Sequence, residues 1–95
     1  LHVLMDQELP EEERQKIINI LTSHPAVVGF HQLRTRSSGT GEFIQVHVEM
    51  RNTLSFQETH IISHELEAMI LNEYPQAEII IHQDPEGTLE PHVHK

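Results

Sequence analysis

Apolar residues recur along this chain at two different periods, and the switch between them lays out five elements. Ile17, Ile18 and Leu21 form a stripe at helical spacing. Pro10 suits the first turn of that helix, where its missing N–H has no helical partner. Glu11, Glu12 and Glu13 follow at the positive end of the helix dipole. Pro25 disfavours helical geometry in the residue before it, so the helix is predicted to stop near His24. Val27 to Ser37 reads as a first strand, Ser38-Gly39-Thr40-Gly41 as a turn, and Phe43 to Arg51 as a second strand. The two strands are predicted to pair as a hairpin. Ser55 and Glu58 have the spacing of a capping box ahead of a second helix. Its buried stripe is Ile62, Leu66, Met69 and Ile70, and it ends before Pro75. Glu78 to Asp84, rich in isoleucine, is a third strand. Residues 1–9 are expected to be a linker stub, 10–86 the domain, and 87–95 a flexible polar tail.

The order α-β-β-α-β fits two layers, with both helices on one face of a three-stranded sheet. The α+β fold class follows. Strand parity then decides what the open face carries. Ile44, Val46, Val48 and Met50 share one side of the second strand, so His47 points away from the core with Gln45 and Glu49. In the first strand Val28 and Phe30 are the best inward pair, which sends His31, Leu33 and Thr35 outward. In the third, Ile79 and Ile81 go inward, leaving Ile80, His82 and Asp84 outward. His82 and Asp84, two apart on a strand, stand about 7 Å from one another along one face. Three imidazoles and a carboxylate on one sheet face make a candidate metal site. The mixture of polar residues with Leu33 and Ile80 suggests an interface.

Composition narrows the choice. The chain has 95 residues, enough for a single modest core. A domain this small gains noticeably from a bound metal or a partner subunit. It has no cysteine, which excludes disulfides, thiolate zinc fingers and cysteine nucleophiles. Six basic residues face fifteen acidic ones, for a formal charge of −9. That balance argues against nucleic-acid partners and favours cations. No apolar run approaches the roughly 20 residues of a membrane span, and no signal peptide is evident. Because the chain opens at Leu1 without an initiator Met, it reads as an excised or processed piece.

The remaining histidines carry weaker signals. A lone strand histidine is usually only a surface residue, and what distinguishes His31, His47 and His82 is that they share a face. His60 and His64, four apart on the second helix, could clamp one ion. Two exposed polar positions is the plainer reading, above all for His64. The zinc-protease helix H-E-x-x-H is not formed, because Ile61 follows His60 and no second histidine follows the pair His64-Glu65. His24 suits a capping role at the end of the first helix. His2, His92 and His94 lie in the expected ends of the chain.

Several segments together resemble a known family. They are Glu12-Glu13-Arg14-Gln15 through His24-Pro25, Phe30-His31-Gln32-Leu33-Arg34-Thr35-Arg36, Phe43-Ile44-Gln45-Val46-His47-Val48-Glu49-Met50, and Ile80-Ile81-His82-Gln83-Asp84-Pro85. They resemble the C-terminal cytoplasmic domain of cation diffusion facilitators, in particular the bacterial ferrous-iron and zinc efflux branch. The resemblance covers roughly residues 5 to 86. It implies a metallochaperone-like (ferredoxin-like) sheet and a homodimer below a transmembrane domain of the same parent chain, at the cytoplasmic face of the inner membrane. It implies Zn²⁺ at the contact between the two copies, bound by His31, His47, His82 and Asp84, with His60 as a further ligand from the helix. His60 sits on an element expected behind the sheet, so donation across the dimer is its simplest route. Gln83, between two ligands, is implied as a supporting residue, although parity puts it on the opposite face.

Zn²⁺ leads on ligand chemistry and family likeness, while Cd²⁺, Fe²⁺, Co²⁺ and Ni²⁺ use overlapping ligands. The expected function is a metal-sensing and dimerisation domain of a divalent-cation exporter. The alternatives are a stand-alone metallochaperone-like zinc carrier and a structural dimer module with incidental histidines. A metal-dependent hydrolase is disfavoured, because no general base beyond the ligands and no Gly-rich phosphate cradle is present.

Overall fold

A computed structural model describes residues 7–87 of the chain. Its elements run α1 (Glu11–Ser23), β1 (Val27–Ser38), β2 (Gly41–Met50), α2 (Phe56–Glu73) and β3 (Glu78–Pro85). The sheet order is β1-β2-β3. β1 and β2 pair antiparallel as a hairpin, and β3 returns through α2 to lie parallel to β2. The sheet is therefore mixed, with the most apolar strand in the middle. Among the described residues no helix is long and apolar enough to cross a membrane.

The helix boundaries follow their local chemistry. Both halves of the Ser55–Glu58 capping box form at the start of α2. Pro10 is the N-cap of α1, one position earlier than a first-turn proline, and its carbonyl accepts from the Arg14 N–H. His24 is the C-cap of α1. Its Nδ1 accepts from the Ala26 N–H, and its Nε2 lies 2.7 Å from Glu65 of α2. One imidazole thus finishes the first helix and ties it to the second.

The core lies between the sheet and the two helices. Ile17 and Leu21 of α1 and Ile62, Leu66 and Ile70 of α2 pack on Ile44, Val46, Val48 and Met50 of β2. The face of β2 that bears His47 is left for other uses.

Two irregularities in β1 correct the strict period-two reading. Its register against β2 shifts between Val27 and Gly29 and again between His31 and Arg34. Val28 falls in the first shift and is 49 % exposed, while Val27 packs against the core. In the second, Gln32 and Leu33 together oppose one residue of β2, and Gln32 takes a positive φ of 53°. Beyond this bulge the parity inverts. Leu33 and Thr35 are consequently buried, not outward as simple alternation predicts. Only His31 keeps its predicted outward side, because it sits between the two shifts.

Residues 7–9 also depart from the linker expected there. Gln7 bridges to Ser37, and the Leu9 N–H donates to Thr35 Oγ1 at 3.2 Å in a buried bond. Leu9 joins the core. The tail expected over 87–95 lies outside the described residues apart from Gly87, as do His2, His92 and His94.

Candidate metal centre

Backbone pairing aligns three histidines in a row across the open face. His31 pairs with His47 in the antiparallel ladder, and His47 pairs with His82 in the parallel one. Paired residues share a face. The rings stack, with centroids 4.9 Å apart for His31 and His47 and 4.6 Å for His47 and His82. These separations match the strand spacing of about 4.7–4.9 Å, so the ladder itself sets them.

Asp84, two residues beyond His82, gathers His31 and His47 into a candidate ligand group. Its Oδ2 lies 3.0 Å from His47 Nδ1, a hydrogen bond, and 3.3 Å from His31 Nε2. One atom each from His31, His47 and Asp84 lies within 4.8 Å of the others. Neighbouring ligands on tetrahedral zinc stand about 3.3 Å apart when bond lengths are near 2 Å. Two imidazole nitrogens around one carboxylate oxygen at 3.0 and 3.3 Å therefore fit a divalent ion with small adjustments.

A fourth residue completes the electrostatics. Glu49 is only 8 % exposed. Its Oε2 lies 3.3 Å from His31 Nδ1, a buried nitrogen with no hydrogen bond of its own. The His31 ring thus stands between two carboxylates, Glu49 at Nδ1 and Asp84 at Nε2. Glu49 is also paired directly with Asp84 across β2 and β3. Two carboxylates side by side and partly out of water repel unless positive charge lies between them. A carboxylate behind a ligating imidazole is also the usual means of fixing which ring nitrogen faces the ion. Sequence parity had placed Glu49 on the face of His47, and that shared side was the signal that it belongs here.

The other expected ligands are placed differently. His82 stacks on His47 at the exposed margin of the row and does not enter the group converging on Asp84. His60 lies on α2, behind the sheet, with its Nε2 3.1 Å from Nε2 of His64. Within one chain it does not reach the cluster. Gln83 lines a pocket between α2 and β3 together with Ile79 and Ile81, on the helix side of the sheet.

Residues 9–86 match the family model for the cytoplasmic domain of cation efflux proteins. The chain is 48 % identical over 96 residues to the cation-efflux pump FieF of Yersinia enterocolitica, covering 99 % of this chain and 32 % of that protein. It is 50 % identical over 82 residues to FieF of Escherichia coli, covering 86 % of this chain and 27 % of that pump. The chain thus spans about a third of these relatives' length or less. Among solved structures it resembles CzrB in its Zn form, with a TM-score of 0.76 and 32 % identity over 87 % of this chain and 96 % of that one. It also resembles the metal-bound C-terminal domain of the CzcD transporter from Thermotoga maritima, with a TM-score of 0.74 and 26 % identity over 86 % and 100 %.

Proposed function

This chain belongs to the cation efflux family as its cytoplasmic domain, and from that premise we propose that it senses divalent metal for an exporter. The proposed ligands are His31, His47 and Asp84, with His82 closing the set from the margin and Glu49 holding the His31 ring. His60 contributes, on this reading, only across a contact with a second copy. The cation is Zn²⁺, with Cd²⁺ and Fe²⁺ as chemically related occupants. The role is regulatory rather than enzymatic. The parent transporter sits in the inner membrane, with this domain on its cytoplasmic side.

The observation that carries the reading is the Asp84 carboxylate shared by two imidazoles, beside a second buried carboxylate. When bound, a divalent cation supplies positive charge and directional bonds at that point. His31 and His47 each present a ring nitrogen toward it, and Glu49 keeps the His31 tautomer fixed. Two chains of formal charge −9 repel one another. Neutralising the carboxylates on the open face lowers that repulsion and favours a closed homodimer by its higher affinity for the ion. The closed pair then biases the membrane helices of the same parent chains.

Zinc titration calorimetry combined with analytical ultracentrifugation tests this. Asp84→Ala is expected to lower zinc affinity at least tenfold and to abolish zinc-dependent association. Unchanged affinity and stoichiometry in that variant would overturn the site. Zinc binding with no change in association would favour the stand-alone carrier instead.

A further inference from the structure

The open face changes character along its strands. Beyond the row of histidines it carries two more rungs, both set by backbone pairing. One is Arg34–Gln45–Ile80 and the next is Arg36–Phe43–Glu78. Leu33 and Thr35 turn inward after the bulge, so Arg34 and Arg36 turn outward. Phe43 shares the side of His47, and Glu78 shares the side of Ile80 and His82. Charge is thereby sorted across the sheet. β1 forms a basic flank and β3 an acidic one, with Phe43 half-buried between them and Ile80 41 % exposed. Among the described residues, no side chain forms an ion pair or hydrogen bond with the side chains of Arg34, Arg36 or Glu78. The other described cations are engaged: Arg14 with the Leu33 carbonyl, Lys16 with Glu13, and Arg51 with the Pro25 carbonyl. In a chain of formal charge −9, two unpaired guanidiniums on one face call for carboxylates from outside the chain.

A second copy of this chain supplies them, and the rung geometry says how. Two identical faces that meet are related by a two-fold axis lying between them. Aligned sheets leave two choices for that axis. With the axis across the strands, β1 lies on β1 of the second copy, and the basic flank meets a basic flank. With the axis along β2, β1 lies on β3 of the second copy, and each rung lies over its own equivalent. Arg36 then faces the partner's Glu78, and the contact occurs twice. Like charges opposed across an interface are costly and unlike charges fix its register, so the second choice wins. A hollow of about 150 Å³ opens between Arg36, Phe43 and Glu78, with Glu42 and Gln76 at its rim, and leaves room for a side chain from the facing copy. We infer that two Arg36–Glu78 ion pairs between copies orient the closed homodimer, packed around Phe43 and Ile80. This orientation rests on the reading of the open face given above and adds to it which strands meet.

Sedimentation of the whole chain with saturating Zn²⁺ at neutral pH tests the pairing. Arg36→Glu and Glu78→Arg both fall at exposed positions, and circular dichroism checks that each variant folds. Each alone is expected to weaken zinc-dependent self-association at least tenfold, because like charges then face one another at both contacts. Mixed in equal amounts, the two variants are expected to associate about as tightly as the parent chain, since each supplies the charge the other lacks. The double variant should recover in the same way. Single variants that associate like the parent chain, or a mixture no tighter than its components, would overturn the pairing. A parent chain that stays monomeric with zinc bound sinks the open-face reading and this orientation together, whereas unchanged single variants sink the orientation alone.

Discussion

Arg14 of α1 donates from its guanidinium to the main-chain carbonyl of Leu33 across 3.3 Å. The bond anchors the bulge beside His31 to the first helix. It also satisfies a carbonyl in a stretch where the strand ladder is interrupted. Gln32, at φ 53°, is the residue that makes the bulge possible. A side chain in left-handed geometry costs about 1–2 kcal/mol, which glycine avoids. Gln32→Gly is therefore expected to be neutral or to stabilise the fold by up to about 1 kcal/mol in urea denaturation. Gln32→Val should destabilise it by about 1–3 kcal/mol, because a β-branched residue fits that region poorly.

Glu49 should separate metal binding from folding. Glu49→Gln keeps its size but removes a buried charge next to Asp84. Zinc affinity is expected to fall about 10–100-fold, the usual cost of losing a carboxylate behind a ligating histidine. Stability of the metal-free chain should hold or rise, since the repulsion between neighbouring carboxylates is gone. Calorimetry gives the first quantity and thermal unfolding in a chelator the second. A parallel fall in both would assign Glu49 a purely structural role.

Zinc binding should compete with protons. Imidazoles ligate only when deprotonated, so affinity is expected to fall steeply below about pH 6. Titrations at pH 5.5, 6.5 and 7.5 in non-coordinating buffers read the effect directly. Pre-formed dimers that persist at pH 5.5 with zinc unbound would contradict the electrostatic coupling proposed above.

The pairing of Tyr74 with Glu13 predicts a different pH response. The Tyr74 hydroxyl donates to Glu13 Oε1 at 2.6 Å, joining the end of α2 to the start of α1. That hydrogen bond holds the Glu13 carboxyl below its ordinary range. Burial first, and then the Glu13 contact, push the Tyr74 phenol upward. A lowered carboxylate contributes stability above its unfolded pKa of about 4.3 and loses it as pH falls through the folded value. A raised phenol contributes below about pH 10 and loses that share as pH rises beyond. Tyr74→Phe should therefore flatten both the acid limb below pH 5 and the alkaline limb above pH 10 in a stability profile. Unaltered limbs would show that the contact is not maintained in solution.

The elements were readable because each carried its own punctuation. Pro10, Pro25, Pro75 and the Ser55–Glu58 box mark the ends of both helices, and the apolar residues of β2 alternate from Ile44 to Met50. The outward placement of His47 rests on that alternation of apolar residues. β1 was less legible. Its apolar positions Val27, Val28, Phe30 and Leu33 fit no single period, and two register shifts resolve the conflict. The misplacement of Leu33 and Thr35 follows from assuming one period across a bulged strand. Leu9 was missed for another reason: an isolated leucine before a proline has no periodicity, and only tertiary packing on Thr35 draws it inward. Glu49 was visible by parity and overlooked because glutamate on an outer face is ordinarily solvated.

The stacked row of imidazoles has a further meaning for selectivity. Its pitch is inherited from main-chain hydrogen bonds, which no side-chain replacement can stretch or compress. Exchanging one histidine for another donor changes hardness and charge at that rung while the rungs keep their distance. The backbone here acts as a fixed ruler, against which a change of donor alters the chemistry of one position and leaves the spacing alone.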